Sequence, residues 1–135
     1  LWRRLVGLVP SESGWWAERV ADHFEGGQDP APMLQAVGLA NALQWEVSRL
    51  SSGERHRLAI VRALCLSPEA LLLDEPTAAL DDAATATVEA LIRAQCAQGV
   101  PVILVTHDHG QAERLASRRF RMADGQLHAE GGVSV

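Results

Sequence analysis

The chain has 135 residues, 47% of them hydrophobic and 21% charged, which is the size and composition of one ordinary globular domain with its own core. Its net charge of −5 excludes a general electrostatic footprint for nucleic acid or an anionic membrane, because both need clustered positive charge. No apolar run approaches the roughly 20 residues that cross a bilayer.

The first third of the chain predicts one strand and a group of short helices. The apolar run Leu5 to Val9 predicts a buried strand, and Pro10 to Gly14 predicts the loop after it. Apolar residues at near-helical spacing predict a helix from Trp15 to Phe24, which is closed by glycine. Pro30 to Val37 predicts a second short helix, and Asn41 to Trp45 one further turn.

A longer helix follows, from about Gly53 to Leu66. Ser51 and Ser52 are good N-caps for it, and Ser67 with Pro68 stops it. Its helical periodicity predicts a buried side made of Leu58, Ile60, Val61, Leu64 and Cys65. Cys65 and a second cysteine, Cys96, lack metal-site spacing, and we expect both to be reduced core residues.

The rest of the chain alternates strands and helices. The continuous apolar run Glu69 to Asp74 predicts a buried parallel strand, and Asp81 with Asp82 opens a helix that runs to about Gln98. Pro101 to Thr106 predicts another strand and Gly110 to Ser117 a short helix. A hairpin follows, with strands Arg119 to Met122 and Gln126 to His128 around an Asp-Gly turn. This order predicts an α/β fold with a mainly parallel sheet.

Polar residues follow two of the predicted parallel strands. Asp74 and Glu75 end one strand and His107 ends the next, at the edge where open α/β sheets gather their ligands. Adjacent residues of a strand point to opposite sides, so we expect the two carboxylates not to compete for one ion. The alternative for the acidic pair is a simple strand end before a proline turn, and for His107 a surface histidine.

The start of the long helix is a second candidate site. Ser51, Ser52, Gly53 and Glu54 present backbone N–H groups at a helix N-terminus, where the free amides and the helix dipole favour an anion. Glycine also permits a close approach of the backbone. The alternative is a capping turn without a ligand, because Ser-x-Gly-Glu is in itself a good helix start.

These motifs, in this order, resemble those of the ATPase subunits of ABC (ATP-binding cassette) transporters. Leu50 to Glu54 (LSSGE) resembles the family signature LSGGQ, and Leu71 to Pro76 (LLLDEP) resembles its magnesium-and-base motif. Ala79 to Asp81 resembles the D-loop that follows, and His107 resembles the switch histidine. The resemblance covers nearly the whole chain.

The resemblance implies a role for each of these residues. Asp74 would bind Mg²⁺, usually through water, and Glu75 would polarise the water that attacks the γ-phosphate of ATP. His107 would hydrogen-bond to the γ-phosphate. In the closed pair of subunits, Asp81 would link the two sites. The signature residues Ser51, Ser52, Gly53 and Glu54 would bind the γ-phosphate of ATP held by the opposite subunit.

The resemblance also implies an architecture and partners. The chain would be a partial P-loop NTPase core of the ABC ATPase type, with a strand and Q-loop region at 1–13, a small helical subdomain at 14–50 and the signature helix with the C-terminal half of the core at 51–135. The expected partners are a second ATPase subunit, arranged head to tail, and transmembrane transporter subunits, with no nucleic acid. This places the protein in the cytoplasm, on the inner face of the membrane through protein partners.

The chain departs from the family pattern at several positions. It contains no lysine, so the glycine-rich loop GxxxxGK[ST] that holds the β- and γ-phosphates is absent. We therefore expect the C-terminal part of an ATPase domain, inactive alone. Ser52 stands where glycine is usual and Glu54 where glutamine is usual. In the Q-loop, Ser11 and Glu12 follow Pro10, and Ser11 is too short to act as the family's glutamine does.

Two other functions share these motifs. An ABC-type ATPase of DNA repair or chromosome maintenance has the same signature, acidic pair and histidine. This chain has no heptad repeat and its net charge is negative, which disfavours that class. A non-catalytic module that lends its signature helix to another subunit's nucleotide is the third hypothesis. The transported substrate, and the choice between import and export, are not encoded in these motifs.

Overall fold

The computed structural model describes residues 5–131 and divides the chain into two units, one ending at Val105 and the other beginning at Thr106. The first four residues of the predicted 1–13 region lie outside the described part. In the first unit the helices are α1 (Ala31–Ala36), α2 (Ser52–Cys65) and α3 (Asp82–Ala97), and the strands are β1 (Val6–Val9), β2 (Ala70–Asp74) and β3 (Val102–Val105). The second unit contains α4 (His109–Leu115), β4 (Arg119–Ala123) and β5 (Gln126–Glu130).

Strands β1, β2 and β3 form a parallel sheet in that order, which confirms the predicted α/β class. Residues in register share a face, so Leu8, Leu72 and Ile103 stand side by side on one face of the sheet. The opposite face carries Val9 and Leu73, which are buried. Leu8 and Ile103 are 63% and 64% exposed. The sheet therefore has one covered and one open face among the described residues.

Helix α2 supplies a large part of the buried core of the first unit. The predicted buried side is confirmed, because Leu58, Ile60, Val61, Leu64 and Cys65 are all buried. Much of this side packs on buried side chains of the short helical segment before α2, namely Val20, Leu34, Val37, Leu39, Ala42, Val47 and Leu50. The segment from residue 14 to 50 thus shares its core with α2.

The predicted helix from Trp15 to Phe24 is wrong, because the structure has only a 3₁₀-helix there, Val20–His23. The backbone of this region instead forms hydrogen bonds with residues outside it. Val20 N–H donates to the Trp45 carbonyl (3.0 Å), and Val47 N–H donates to the Glu18 carbonyl (2.8 Å). These tertiary bonds replace the helical ones. The predicted turn near residue 43 is present as a 3₁₀-helix, Ala42–Gln44, and another, Val47–Arg49, follows it.

A second set of bonds fixes the helical segment to the end of α2. Gln28 N–H donates to the Cys65 carbonyl (2.8 Å), and the Gln28 side-chain amide donates to Ser67 Oγ (2.6 Å). Gly27 lies so close that a Cβ at this position would sit 2.4 Å from the Cys65 carbonyl oxygen. Only glycine fits this contact.

The two cysteines differ in their surroundings. Cys65 is buried, and burial raises the pKa of its thiol, so it is an inert core residue as expected. Cys96 is exposed on α3, and the expectation of a core position was wrong for it. The two are not joined to each other.

In the second unit, β4 and β5 pair as the antiparallel hairpin that the Asp-Gly turn predicts. Asp124 and Gly125 both have positive φ, 51° and 73°, as a tight hairpin turn of this class requires. Within residues 5–131, no helix has the length and apolar character needed to cross a membrane.

Candidate functional site

The acidic pair lies at the carboxyl end of the central strand. β2 is flanked by β1 and β3 and ends at Asp74. The N–H of Glu75 donates to the carbonyl of Val105 (2.8 Å), which extends the pairing with β3 by one step. The structure thus places both carboxylates, half-buried, at the sheet edge that the sequence predicts for them.

The backbone of Glu75 is in the left-handed region, with a φ of 48°. A residue with a Cβ in this conformation costs on the order of 1–2 kcal/mol, so the surroundings must hold it there. The bond to Val105 fixes its N–H, and its carbonyl accepts from Ala78 N–H at 3.3 Å. The expectation that Asp74 and Glu75 face opposite sides as strand neighbours does not apply, because the chain turns at Glu75.

His56 on α2 is a buried polar residue that none of the sequence motifs singles out. It is only 7% exposed. Burial lowers the pKa of His56, and the Glu75 backbone partly offsets this by raising it. Its spacing from Ile60 and Leu64, four and eight residues, is the signal in the sequence that predicts a buried position.

The signature residues form a closed capping box at the start of α2. Ser51 Oγ accepts from Glu54 N–H (3.2 Å), and Glu54 Oε1 accepts from Ser51 N–H (2.9 Å). The bond from the Ser51 backbone is the largest cause that holds the pKa of Glu54 below its usual value. Because Ser51 and Ser52 are exposed, this helix end is accessible from solvent.

The start of α2 also packs on the segment that resembles the D-loop. A Cβ on Gly53 would sit 3.2 Å from the Ala79 carbonyl oxygen and 3.3 Å from Leu80 Cδ2. Asp81, next along the chain, caps α3 by accepting from Ala84 N–H (2.8 Å). The structure thus brings Gly53 next to the 79–80 pair and leaves the exposed Asp81 side chain engaged in a helix cap.

His107 belongs to the second unit, whereas Asp74 and Glu75 belong to the first. Its backbone lies in a turn in which Asp108 N–H donates to Thr106 Oγ1 (3.0 Å). Asp108 in turn caps α4 by accepting from Gln111 N–H (3.0 Å). The convergence of His107 with Glu75 around one phosphate therefore stays a prediction.

The residues at the end of β2 fit a magnesium ion of the kind found with nucleotides. Mg²⁺ keeps several waters and needs only one or two carboxylates together with substrate phosphates. Asp74 supplies one half-buried carboxylate at the sheet edge. Over residues 5–131 no group of three or more His, Cys, Asp or Glu side chains could hold a metal by itself.

The loop after β1 contains the departure from the family's Q-loop. Ser11 and Glu12 are both exposed. The loop continues into Trp15 and Trp16, whose rings lie 4.6 and 5.0 Å from the guanidinium of Arg62 on α2. Arg62 also donates to the Gly14 carbonyl (3.1 Å). The loop is therefore held to the last turn of the signature helix.

A groove of about 520 Å³ lies beside these tryptophans. Its wall is fixed by His23, whose Nε2 accepts from the N–H groups of Trp16 (3.0 Å) and Ala17 (3.1 Å). Trp16 is 72% exposed, whereas Trp15 is half-buried and packs against the core. The lining residues are Ser13, Trp15, Trp16, Ala17, Glu18, Val47, Ser48 and Arg55.

Solved structures share the fold of this chain. A structure described as the ATP binding subunit of an ABC transporter superposes with a TM-score of 0.83 at 24% identity, over 96% of this chain and 59% of that one. An inward-facing putative metal-chelate type ABC transporter gives a TM-score of 0.76 over 93% of this chain and 57% of its own. The fold is therefore that of the ABC ATPase domain.

Sequence comparison then gives the family. The ABC transporter family pattern matches residues 1–78. The phosphate import ATP-binding protein PstB 2 of Natronomonas pharaonis is 40% identical over 132 residues, 96% of this chain and 46% of that protein. The glutamine transport ATP-binding protein GlnQ of Escherichia coli is 37% identical over 87% of this chain and 49% of that protein. The chain belongs to the ABC transporter family and spans about half the length of these relatives.

Proposed function

We propose that this chain is part of the ATP-hydrolysing subunit of an ABC transporter. The observation that carries the proposal is the strained Glu75 beside Asp74 at the carboxyl end of the central strand. Acidic residues held in strained backbone at a sheet edge are typical of sites that perform chemistry. The named relatives, which are import and transport ATP-binding proteins, support the same reading.

In the proposed site, each residue acts as the family resemblance implies. Asp74 would hold Mg²⁺, usually through water, and the bound ion would supply positive charge that offsets the phosphates. Glu75 accepts a proton from the attacking water, and His107 hydrogen-bonds to the γ-phosphate. The capped start of α2, Ser51 to Glu54, contacts the γ-phosphate of ATP in the other subunit of a head-to-tail pair.

The proposal includes a phosphate-binding loop that lies outside these 135 residues. The sequence has no lysine, and a phosphate loop of this family needs one. We therefore expect the 135-residue chain alone not to hydrolyse ATP. Asp81, beside the contact of Gly53 with residues 79–80, is the proposed link between the two nucleotide sites.

The groove beside Trp16 is the proposed contact with a transmembrane subunit. An exposed tryptophan in a wall fixed by hydrogen bonds is a suitable anchor for a protein partner. Through such a partner the protein would lie on the cytoplasmic face of the membrane. The net charge of −5 supports the expectation that nucleic acid is not a partner.

Hydrolysis by the complete gene product, with Mg²⁺ and ATP, tests the proposal. Glu75→Gln should lower kcat by about a hundredfold or more, since a general base contributes this much, and should leave ATP binding intact. Glu69→Gln is the matched control, because Glu69 is an exposed carboxylate at the other end of β2. Equal rates for the two variants would contradict the role of Glu75, and hydrolysis by the 135-residue chain alone would contradict the missing phosphate loop.

A further inference from the structure

Arg57 joins the start of α2 to the helical segment that precedes it. Its Nη1 donates to the Val37 carbonyl (2.7 Å), and its Nε donates to the Gly53 carbonyl (3.3 Å). Val37 lies 20 residues before Arg57 in the chain, and the arginine side chain is half-buried. One guanidinium therefore connects the signature glycine to a distant part of the same unit.

The Val37 carbonyl is a fixed point for this bridge. Val37 follows the last residue of α1 and is 1% exposed. Just beyond it the chain turns at Gly38, which has a φ of 74°, and Leu39 N–H donates back to the Leu34 carbonyl (2.8 Å). The 2.7 Å bond from Arg57 is short, as is usual for bonds from a charged donor. The end of α1 is thus a rigid anchor.

Gly53 is confined by a second segment of the chain. A Cβ on Gly53 would sit 3.2 Å from the Ala79 carbonyl oxygen, so the backbone of the first turn of α2 lies close to the segment that resembles the D-loop. Arg57 bonds to the carbonyl of the same glycine. These two contacts fix the place of the first turn and therefore of its backbone N–H groups.

We propose that Arg57 is a positioning residue, which sets the place of the Gly53 backbone by bridging its carbonyl to that of Val37. The inference rests on the proposed function, in which Ser51 to Glu54 contact the γ-phosphate of ATP in the other subunit. Arg57 acts through the backbone of Gly53 and does not itself contact the nucleotide. Because Val37 belongs to the helical segment, the place of the signature residues depends on that segment.

The bridge requires a guanidinium and not merely a positive charge. The nitrogens of arginine lie in one plane at fixed angles, so two of them can hold two carbonyls in a fixed relative position. Lysine has a single nitrogen on a flexible stem. Arg57→Lys therefore keeps the charge and loses the geometry, which separates a positioning role from an electrostatic one.

The test is dimerisation of the complete gene product with Mg²⁺ and a non-hydrolysable ATP analogue, measured by sedimentation. The proposed signature contact is made across subunits, so its displacement weakens the dimer. We expect Arg57→Lys to raise the dimer dissociation constant by about tenfold or more, because a contact group displaced by about 1 Å loses much of its effect. Arg57→Ala should have at least the same effect.

A second measurement and a control variant complete the test. Binding of the analogue to the dilute monomer should change by less than about twofold in Arg57→Lys, because the groups that hold ATP within one subunit are not displaced. Arg93→Lys is the matched control. Arg93 is also a helical arginine with a hydrogen bond inside the first unit, to Glu89 (3.4 Å), but it lies on α3. It should change neither quantity.

The outcomes separate this inference from the proposed function. If the wild type dimerises with the analogue and Arg57→Lys does so equally well, the positioning role is overturned alone. The same holds if Arg57→Lys loses binding to the monomer together with dimerisation, since Arg57 would then serve the fold as a whole. If the wild type does not dimerise with the analogue, the head-to-tail pair of the proposed function is overturned and this inference with it.

Discussion

Glu75 and His56 occupy environments that side chains of their types normally avoid. Glu75 has a positive φ, and His56 is a buried ring with an unpaired nitrogen. Both features cost stability. Costs of this kind persist in native proteins chiefly where the arrangement serves a function.

At the residue scale, stability should fall in mildly acidic solution because of His56. Burial holds the pKa of His56 below its unfolded value of about 6.5. The unfolded chain therefore binds a proton first, and stability declines as the pH falls from about 6.5 toward the folded pKa, by at most about 1.4 kcal/mol per pH unit.

Urea unfolding of the 135-residue chain between pH 7.5 and 5 measures this effect. His56→Phe should flatten the pH dependence in that range. Glu54, whose pKa is also lowered, acts only below its usual value of 4.5 and leaves this window unaffected. An unchanged slope in His56→Phe would show that another group causes the acid sensitivity.

At the element scale, the start of α2 depends on its capping box. Ser51→Ala removes the side-chain acceptor for Glu54 N–H and should lower the free energy of unfolding by about 1 kcal/mol. Ser52→Ala is the control, because Ser52 is the first residue of α2, is exposed and is no part of the capping box. Urea titrations of the two variants should differ by roughly that amount, and equal values would exclude a stabilising box.

The contact of Gly27 with the end of α2 gives a second prediction. Both Gly26 and Gly27 have positive φ, 72° and 110°, but a Cβ on Gly26 meets nothing within 4 Å. Gly26→Ala should therefore show backbone strain alone, about 1 kcal/mol. Gly27→Ala adds the clash with the Cys65 carbonyl and should cost at least about 2 kcal/mol more. Thermal unfolding of the pair checks this, and similar midpoints would mean that the segment moves away at little cost.

Local signals predicted the elements that form by local rules. The cap at Ser51 and the Asp-Gly turn at residue 124 act within a few residues, and α2 and the hairpin are where these signals place them. The helix predicted from Trp15 to Phe24 does not form, because the backbone of this region hydrogen-bonds to residues about 25 positions away. For the candidate site, the sequence predicted carboxylates and a histidine at the ends of two parallel strands. The packing of Gly53 against residues 79–80 was not predicted, because it joins the start of α2 to a loop about 26 residues later.

At the scale of the whole molecule, the open face of the parallel sheet has the largest consequence. Parallel sheets are normally covered on both faces, yet Leu8 and Ile103 are more than 60% exposed here, and Val105 is 56% exposed. Such a patch favours association when nothing covers it. We expect the 135-residue chain, produced by itself, to self-associate as its concentration rises.

Sedimentation velocity over a range of concentrations measures this. The double variant Leu8→Arg and Ile103→Lys should shift the chain toward monomer, because it places like charges on both sides of Leu72 on that face. Leu127→Lys is the control, since Leu127 is similarly exposed, at 65%, but lies in the hairpin of the second unit. Monomeric wild-type chain at all concentrations would contradict the prediction.

The double attachment of the helical segment has a mechanical meaning. Arg62 contacts the tryptophan loop at one end of the segment, and residues at the end of α2 hydrogen-bond to Gln28 further along. Both attachments lie at the last turn of α2 or just after it. We therefore expect a force applied at Trp16 to reach this end of α2 directly.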